Sequence, residues 1–170
     1  MIATDKESAR KRSASTHHLL DMDGIRYRIS QGDNSFAMRV VLAALMQNSE
    51  KYAERVLTQL NEIDFRLPGI DLMFRWLVEQ LQENGKPNIP QLYERMAEYV
   101  YERWPKDIVA DHENLIYSAE EVLPGYLAVI DHIWALDEID DGLFESAVAT
   151  LLHFRPAIEK SVKQRGREDI

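Results

Sequence analysis

The histidines and acidic side chains are the residues whose types could bind a metal ion or support catalysis. His112 lies between Asp111 and Glu113, but adjacent residues point to different faces of a helix and do not converge on one ion. His132 and His153 fall on two successive predicted helices. Helical di-iron proteins use Glu-x-x-His pairs on two helices, and this sequence contains no such pair. We therefore expect no metal site and surface or half-buried histidines.

Two acidic clusters could be interpreted as paired carboxylates. Acid–base catalysis needs two carboxyl groups that face a pocket and differ in pKa. These acids instead lie at a helix start and at a turn, where they stabilise a helix dipole or face water. The sequence also lacks the glycine-rich motifs that bind nucleotide phosphates. We expect no catalytic residue and no cofactor. The acids concerned are Glu120, Glu121, Asp137, Glu138, Asp140 and Asp141.

The tryptophans are better candidates for a binding role. Aromatic residues at helical spacing usually belong to a core, and Trp104, just before Pro105, fits that description. Trp134 lies near the predicted tip of a helical hairpin, where part of its ring can be exposed. Exposed Trp, Tyr and Arg side chains are frequent anchors of protein interfaces.

Composition limits the class of protein. The chain has 170 residues, of which 45% are hydrophobic and 29% charged, an ordinary globular balance. It has no cysteine, which excludes disulfides and a thiolate zinc site. No apolar run reaches the roughly 20 residues that span a bilayer, and the first residues do not resemble a signal peptide. We expect a cytoplasmic protein without a membrane segment.

The net charge of -9 argues against direct nucleic-acid binding. Such binding gains affinity when clustered Lys and Arg release counterions from phosphates. Basic residues cluster only near the two ends of the chain, around Arg10-Lys11-Arg12 and between Lys160 and Arg167. Charge runs at chain ends are commonly solvated, and we interpret both as solubilising segments.

Helical spacing dominates from Ser35 onward. Between Ile70 and Leu81 the apolar residues follow the i, i+3, i+4, i+7 pattern. Pro68 suits the first turn of that helix, and Gly85 suits its end. Further predicted helices begin at Pro90, at Pro105 and at a capping box formed by Ser118 and Glu121. The Pro124-Gly125 pair should kink or interrupt the helix after that capping box.

These patterns predict an all-α protein, a compact helical bundle followed by a long helical hairpin. Residues 1–34 are polar and are expected to be a flexible N-terminal tail or linker, although residues 24–29 alternate as a weak strand would. Residues 35–117 form the predicted bundle. Residues 118–170 form the predicted hairpin, whose two helices are joined at Asp140-Asp141-Gly142.

The order of helices and turns between Phe36 and Ile133 resembles the C-terminal helicase-binding domain of bacterial replicative primase. That family has an "MR…LL.QN" helix, then "LPG…LF..LV", then "…G….QLLE". The counterparts here are Met38-Arg39, Gln47-Asn48, Leu67-Pro68-Gly69, Leu72 to Val78, and Gln91-Leu92. The family domain is similar in fold to the N-terminal domain of the replicative helicase, which it binds mainly through its hairpin and C-terminal helix.

The resemblance implies a non-catalytic module that docks on the N-terminal domain of the replicative DNA helicase during priming. Primases join nucleotides with a cysteine-containing zinc module and an acidic metal-binding core; the first is absent and the length leaves no room for the second. The hairpin should present an apolar stripe to a helical groove. In an alternative interpretation Leu151 and Ile158 only join the two hairpin arms. The predicted contacts are Trp134, Phe144, Leu151, Phe154, Arg155, Ile158 and Val162.

Several alternatives stay open. Residues 64–89 also resemble the helicase N-terminal domain itself, and a free-standing copy of either domain could recruit or inhibit the helicase. Two copies could pair through the hairpin. A small helical metal-binding bundle or enzyme, and an acidic mimic of nucleic acid, are hypotheses of other classes.

Overall fold

A computed structural model describes residues 3–16, 21–104 and 117–168. These residues form eight α-helices and one 3-10 helix, with no β-strand among them. The prediction of an all-α helical bundle is confirmed for this part of the chain. The helices are α1 (Lys6–Thr16), α2 (Met22–Ser30), α3 (Asn34–Gln47), α4 (Ser49–Gln59), the 3-10 helix (Glu62–Phe65), α5 (Ile70–Asn84), α6 (Ile89–Arg103), α7 (Ala119–Trp134) and α8 (Asp141–Glu168).

The chain divides into two compact units, each assembled from two separate stretches of sequence. Unit 1 is drawn from Met1–His18 and Asn88–Ala135 and contains α1, α6 and α7. Unit 2 is drawn from Leu19–Pro87 and Leu136–Ile170 and contains the remaining helices. The two helices of the expected hairpin, α7 and α8, therefore belong to different units.

In unit 2, α3 is the central helix. It packs against α2, α4, α5 and α8, and nine of its residues are buried, including the run from Val40 to Met46. This helix is therefore buried on most of its sides. Aromatic pairs join the surrounding elements: Tyr52 of α4 contacts Phe144 of α8, and Phe65 of the 3-10 helix stacks on Phe74 of α5.

In unit 1, α7 packs against α6 and α1. Arg12 of α1 forms two hydrogen bonds with Asp131 of α7, at 2.9 and 2.7 Å. Tyr93 of α6 donates its hydroxyl to the same carboxylate at 2.6 Å. Because Asp131 is only 6% exposed, these contacts neutralise and solvate a buried charge.

The N-terminal segment differs from the expected flexible tail, because it carries α1 and α2. α1 has almost no apolar stripe. It is held by an ion pair with Asp131, a contact that the spacing of apolar residues cannot predict. Residues 24–29 are helical, with Ile25 and Ile29 buried. Isoleucines four residues apart satisfy strand alternation and helical spacing equally, so that short motif was ambiguous.

Sequence signals for helix ends predicted the structure more reliably than the patterns of the N-terminal segment did. Gly85 ends α5 with a φ of 74°, and Ser118 accepts a hydrogen bond from the Glu121 amide at 3.3 Å. Gly69, with a φ of 83°, precedes α5, so Pro68 lies just before that helix rather than in its first turn. α7 continues through Pro124. The predicted helix at Pro105 lies outside the described residues. No described helix is both long and apolar enough to cross a lipid bilayer.

Candidate interaction surface

The residues considered for chemistry have structural contacts. His132 is half-buried in α7, while His153 is exposed in α8 with its ring edge on Phe154. His112, with its acidic neighbours, lies outside the described residues. Within residues 3–16, 21–104 and 117–168, no three His, Asp or Glu side chains come together in a way that could hold a metal ion.

The acidic turn before α8 is a helix cap. The Asp140 carboxylate accepts a hydrogen bond from the Leu143 amide at 2.8 Å and pairs with Arg26. Asp141 accepts a hydrogen bond from the Tyr52 hydroxyl at 2.8 Å and pairs with Lys51. These donors hold the pKa of both carboxyl groups below the usual value of 3.8. The structural role expected for this turn is confirmed.

The predicted contact residues on α8 fall into a buried and a partly exposed group. Phe144 and Leu151 are 2% and 1% exposed and belong to the core of unit 2. Ile158 and Val162 are partly exposed. At 3.6 residues per turn, both lie within about 20° of Leu151 around the helix axis. The face that packs on unit 2 in the first half of α8 therefore continues into the second half.

Arg155 marks the point where the two halves meet. Its guanidinium binds Asp64 of the 3-10 helix through two hydrogen bonds, at 3.0 and 2.7 Å, and donates a third to the Gln59 carbonyl at 2.6 Å. Asp64 has no exposed surface. Arg155 thus ties α8 to the bundle and does not offer a free guanidinium to a partner.

The structure also gives internal contacts to Phe154 and Trp134. A Cβ atom placed on Gly32 would lie 3.9 Å from the Phe154 ring, so this ring rests on the connection between α2 and α3. The Trp134 indole N–H donates to the Thr4 carbonyl at 3.1 Å, and the Lys6 ammonium lies over its ring. Both side chains stay partly exposed.

We define the α8 arm as residues 156–168. It is about 20 Å long at 1.5 Å per residue, and it follows the last described ion pair of α8 with the bundle, at Arg155. Ile158 and Val162 form its apolar face. Its charged side chains with described positions are Glu159, Lys160, Lys163 and Arg165.

A groove in unit 2 was not predicted. It lies between α4, the 3-10 helix and α5 and encloses about 420 Å³. Its walls include Leu57 of α4 and Leu60, which directly follows that helix. One local sequence pattern could have identified Asp64 as a structural residue. Asn61 and Asp64 have the spacing of a capping box, and the structure forms that capping box.

Comparisons of this chain with protein-family models, with curated proteins and with solved structures found no match.

Proposed function

We propose that this chain is a non-catalytic protein-interaction module that docks on the N-terminal domain of the replicative DNA helicase in the cytoplasm. The observation that carries the proposal is the continuation of the core-facing side of α8 into the α8 arm. A helix that keeps an apolar face beyond its own bundle is suited to docking in a groove of another helical protein. The sequence resemblance to the primase domain supplies the identity of the partner.

The structure narrows the set of proposed contacts. Ile158 and Val162 are the central contacts, because they are partly exposed and share one face. Phe154 lies at the edge of that face. Phe144 and Leu151 are buried, so we assign them a supporting role within unit 2, and Arg155 holds the helix in place. We assign Trp134 an internal role, which is to hold the start of the chain in unit 1.

Docking through the arm depends on apolar burial in the centre and on charge at the rim. Two aliphatic side chains that become fully buried contribute about 1.5–3 kcal/mol each. Arg165 lies beside them on the same side of the helix, and a rim charge of this kind raises the association rate more than the affinity. The module should therefore bind acidic helical surfaces faster at low ionic strength.

The test is a binding measurement between this protein and the purified host replicative helicase. We expect Ile158→Glu combined with Val162→Glu to weaken binding at least about thirtyfold, since each change places a charge in an apolar contact. Ala157→Glu is the matched control, because Ala157 is exposed and lies on another side of the helix. It should bind as the wild type does.

Far-UV circular dichroism should be the same for all three proteins. Failure of the wild-type protein to bind the helicase, or wild-type affinity in the double variant, would refute the proposal. Unwinding rates measured with the bound module would then distinguish a recruiting module from an inhibitor.

A further inference from the structure

The groove in unit 2 has an apolar wall open to solvent. Its volume of about 420 Å³ lies in the range of about 300–1,000 Å³ typical of ligand clefts. Leu57, on α4, is 38% exposed and is one of the few exposed large apolar side chains among the described residues. Leu60 and Val78 line the same groove. The groove therefore offers an apolar surface to an occupant with aliphatic side chains.

The edge of the groove carries excess negative charge. Glu62 and Glu79 line it together with a single basic residue, Arg75, which pairs with Glu62 at 2.9 Å. An occupant that combines aliphatic side chains with positive charge would suit both the wall and the edge.

The α8 arm has this combination. Ile158 and Val162 form its apolar face, and Arg165 lies on the same side of the helix, within about 60° of both. The arm also begins next to the groove, because Arg155 donates a hydrogen bond to the carbonyl of Gln59 at 2.6 Å, and Gln59 lies between the groove residues Leu57 and Leu60.

The arm does not reach the groove of its own molecule. α8 is one continuous helix from Asp141 to Glu168, and entry into its own groove would require the helix to break and turn back. A second molecule has no such restriction. Because the arm and the groove adjoin within unit 2, a two-fold axis beside them can place each arm in the groove of the other molecule.

We infer that two copies of this chain associate by reciprocal docking, with the α8 arm of each copy in the groove between α4, the 3-10 helix and α5 of the other. Ile158 and Val162 cover Leu57, Leu60 and Val78, and Arg165 lies along the Glu62–Glu79 edge. This association goes beyond the proposed function and does not rest on it. Because dimerisation buries the α8 arm, it competes with the binding of any other partner to that arm.

Sedimentation velocity of the full chain over a concentration series tests the inference. We expect the wild-type protein to form a dimer, and Leu57→Glu or Ile158→Glu to raise its dissociation constant at least about tenfold. Tyr101→Glu and Ala157→Glu are the matched controls. Tyr101 is 41% exposed, comparable to Leu57, but lies on α6 in unit 1. Both controls should dimerise as the wild type does.

A mixture of two variants separates loss of the contact from misfolding. Leu57→Glu keeps an intact arm, and Ile158→Glu keeps an intact groove, so together they can form one of the two arm–groove contacts. We expect more dimer in the mixture than in either variant alone. A wild-type protein that stays monomeric up to about 100 μM, a dimer insensitive to Leu57→Glu, or a mixture without added dimer would each overturn the inference.

The same variants distinguish this inference from the proposed function. Leu57→Glu removes the groove contact but leaves the arm intact. It should therefore bind the replicative helicase at least as tightly as the wild type, because the arm is no longer occupied by a second copy.

Discussion

Asp64 and Arg155 illustrate how single residues hold α8 in place. Asp64 is completely buried, and it accepts a hydrogen bond from the Asn61 amide in addition to the two from Arg155. A buried carboxylate is stable only when donors replace its water. The pair therefore fixes the 3-10 helix and the middle of α8 as one structural feature of unit 2.

Arg155→Met should lower the free energy of unfolding by about 3 kcal/mol, because it leaves a buried carboxylate without its cation. Urea denaturation followed by circular dichroism measures the change. Lys163→Met, on the exposed side of the same helix, is the control and should change the free energy by less than about 0.5 kcal/mol. Equal stability of the two variants would show that Asp64 does not depend on Arg155.

At the scale of the element, the N-terminus of α8 depends on two ionised carboxylates. Asp140 caps the helix and pairs with Arg26, while Asp141 binds Lys51 and Tyr52. Negative charge in the first turn also favours the helix dipole. Both contacts connect α8 to neighbouring helices in unit 2, so electrostatic contacts at the start of this helix add to the apolar burial of Leu143 and Phe144.

Protonation of these carboxylates should destabilise the protein. Their pKa values are lowered in the folded state, so their contribution is fully present well above pH 3.8 and is lost as the pH falls below that value. We expect the melting temperature of Asp141→Asn to depend less steeply on pH in this acidic range than that of the wild type. Glu138→Gln, an exposed change in the preceding loop, should retain the wild-type slope.

At the scale of the whole molecule, the chain passes between the two units three times. Unit 1 needs the first residues of the chain to complete it, because α1 supplies the buried residues Ala9 and Ser13 and the cation Arg12. The carbonyl of Thr4 also accepts the hydrogen bond from Trp134. A segment with the composition of a tail is therefore an integral part of the fold.

Deletion of residues 1–18 should lower the melting temperature by at least about 4 °C, the shift expected for a loss of about 1–2 kcal/mol in a chain of this size. Differential scanning calorimetry measures the shift. Lys11→Ala, which changes an exposed side chain on the same helix, should leave the melting temperature unchanged. An unchanged value in the deletion would support the flexible tail that the sequence predicted.

The parts of the fold that were predictable are those determined by neighbouring residues. The apolar spacing of α5, the left-handed glycine at position 85 and the cap at Ser118 act within a few residues. The all-α character and most helices therefore followed from the sequence alone. The candidate residues Ile158 and Val162 followed in the same way, because their helical face is set by spacing.

Tertiary structure alone decided which helices are neighbours and which residues remain exposed. Helical spacing identified an apolar face that includes Phe144, Leu151, Ile158 and Val162, but only packing shows that its first half is buried. The contacts of Arg155 with Asp64 and of Arg12 with Asp131 join residues 91 and 119 positions apart. No local sequence pattern predicts such pairs, since the sequence around a charged residue does not identify its partner in the folded protein.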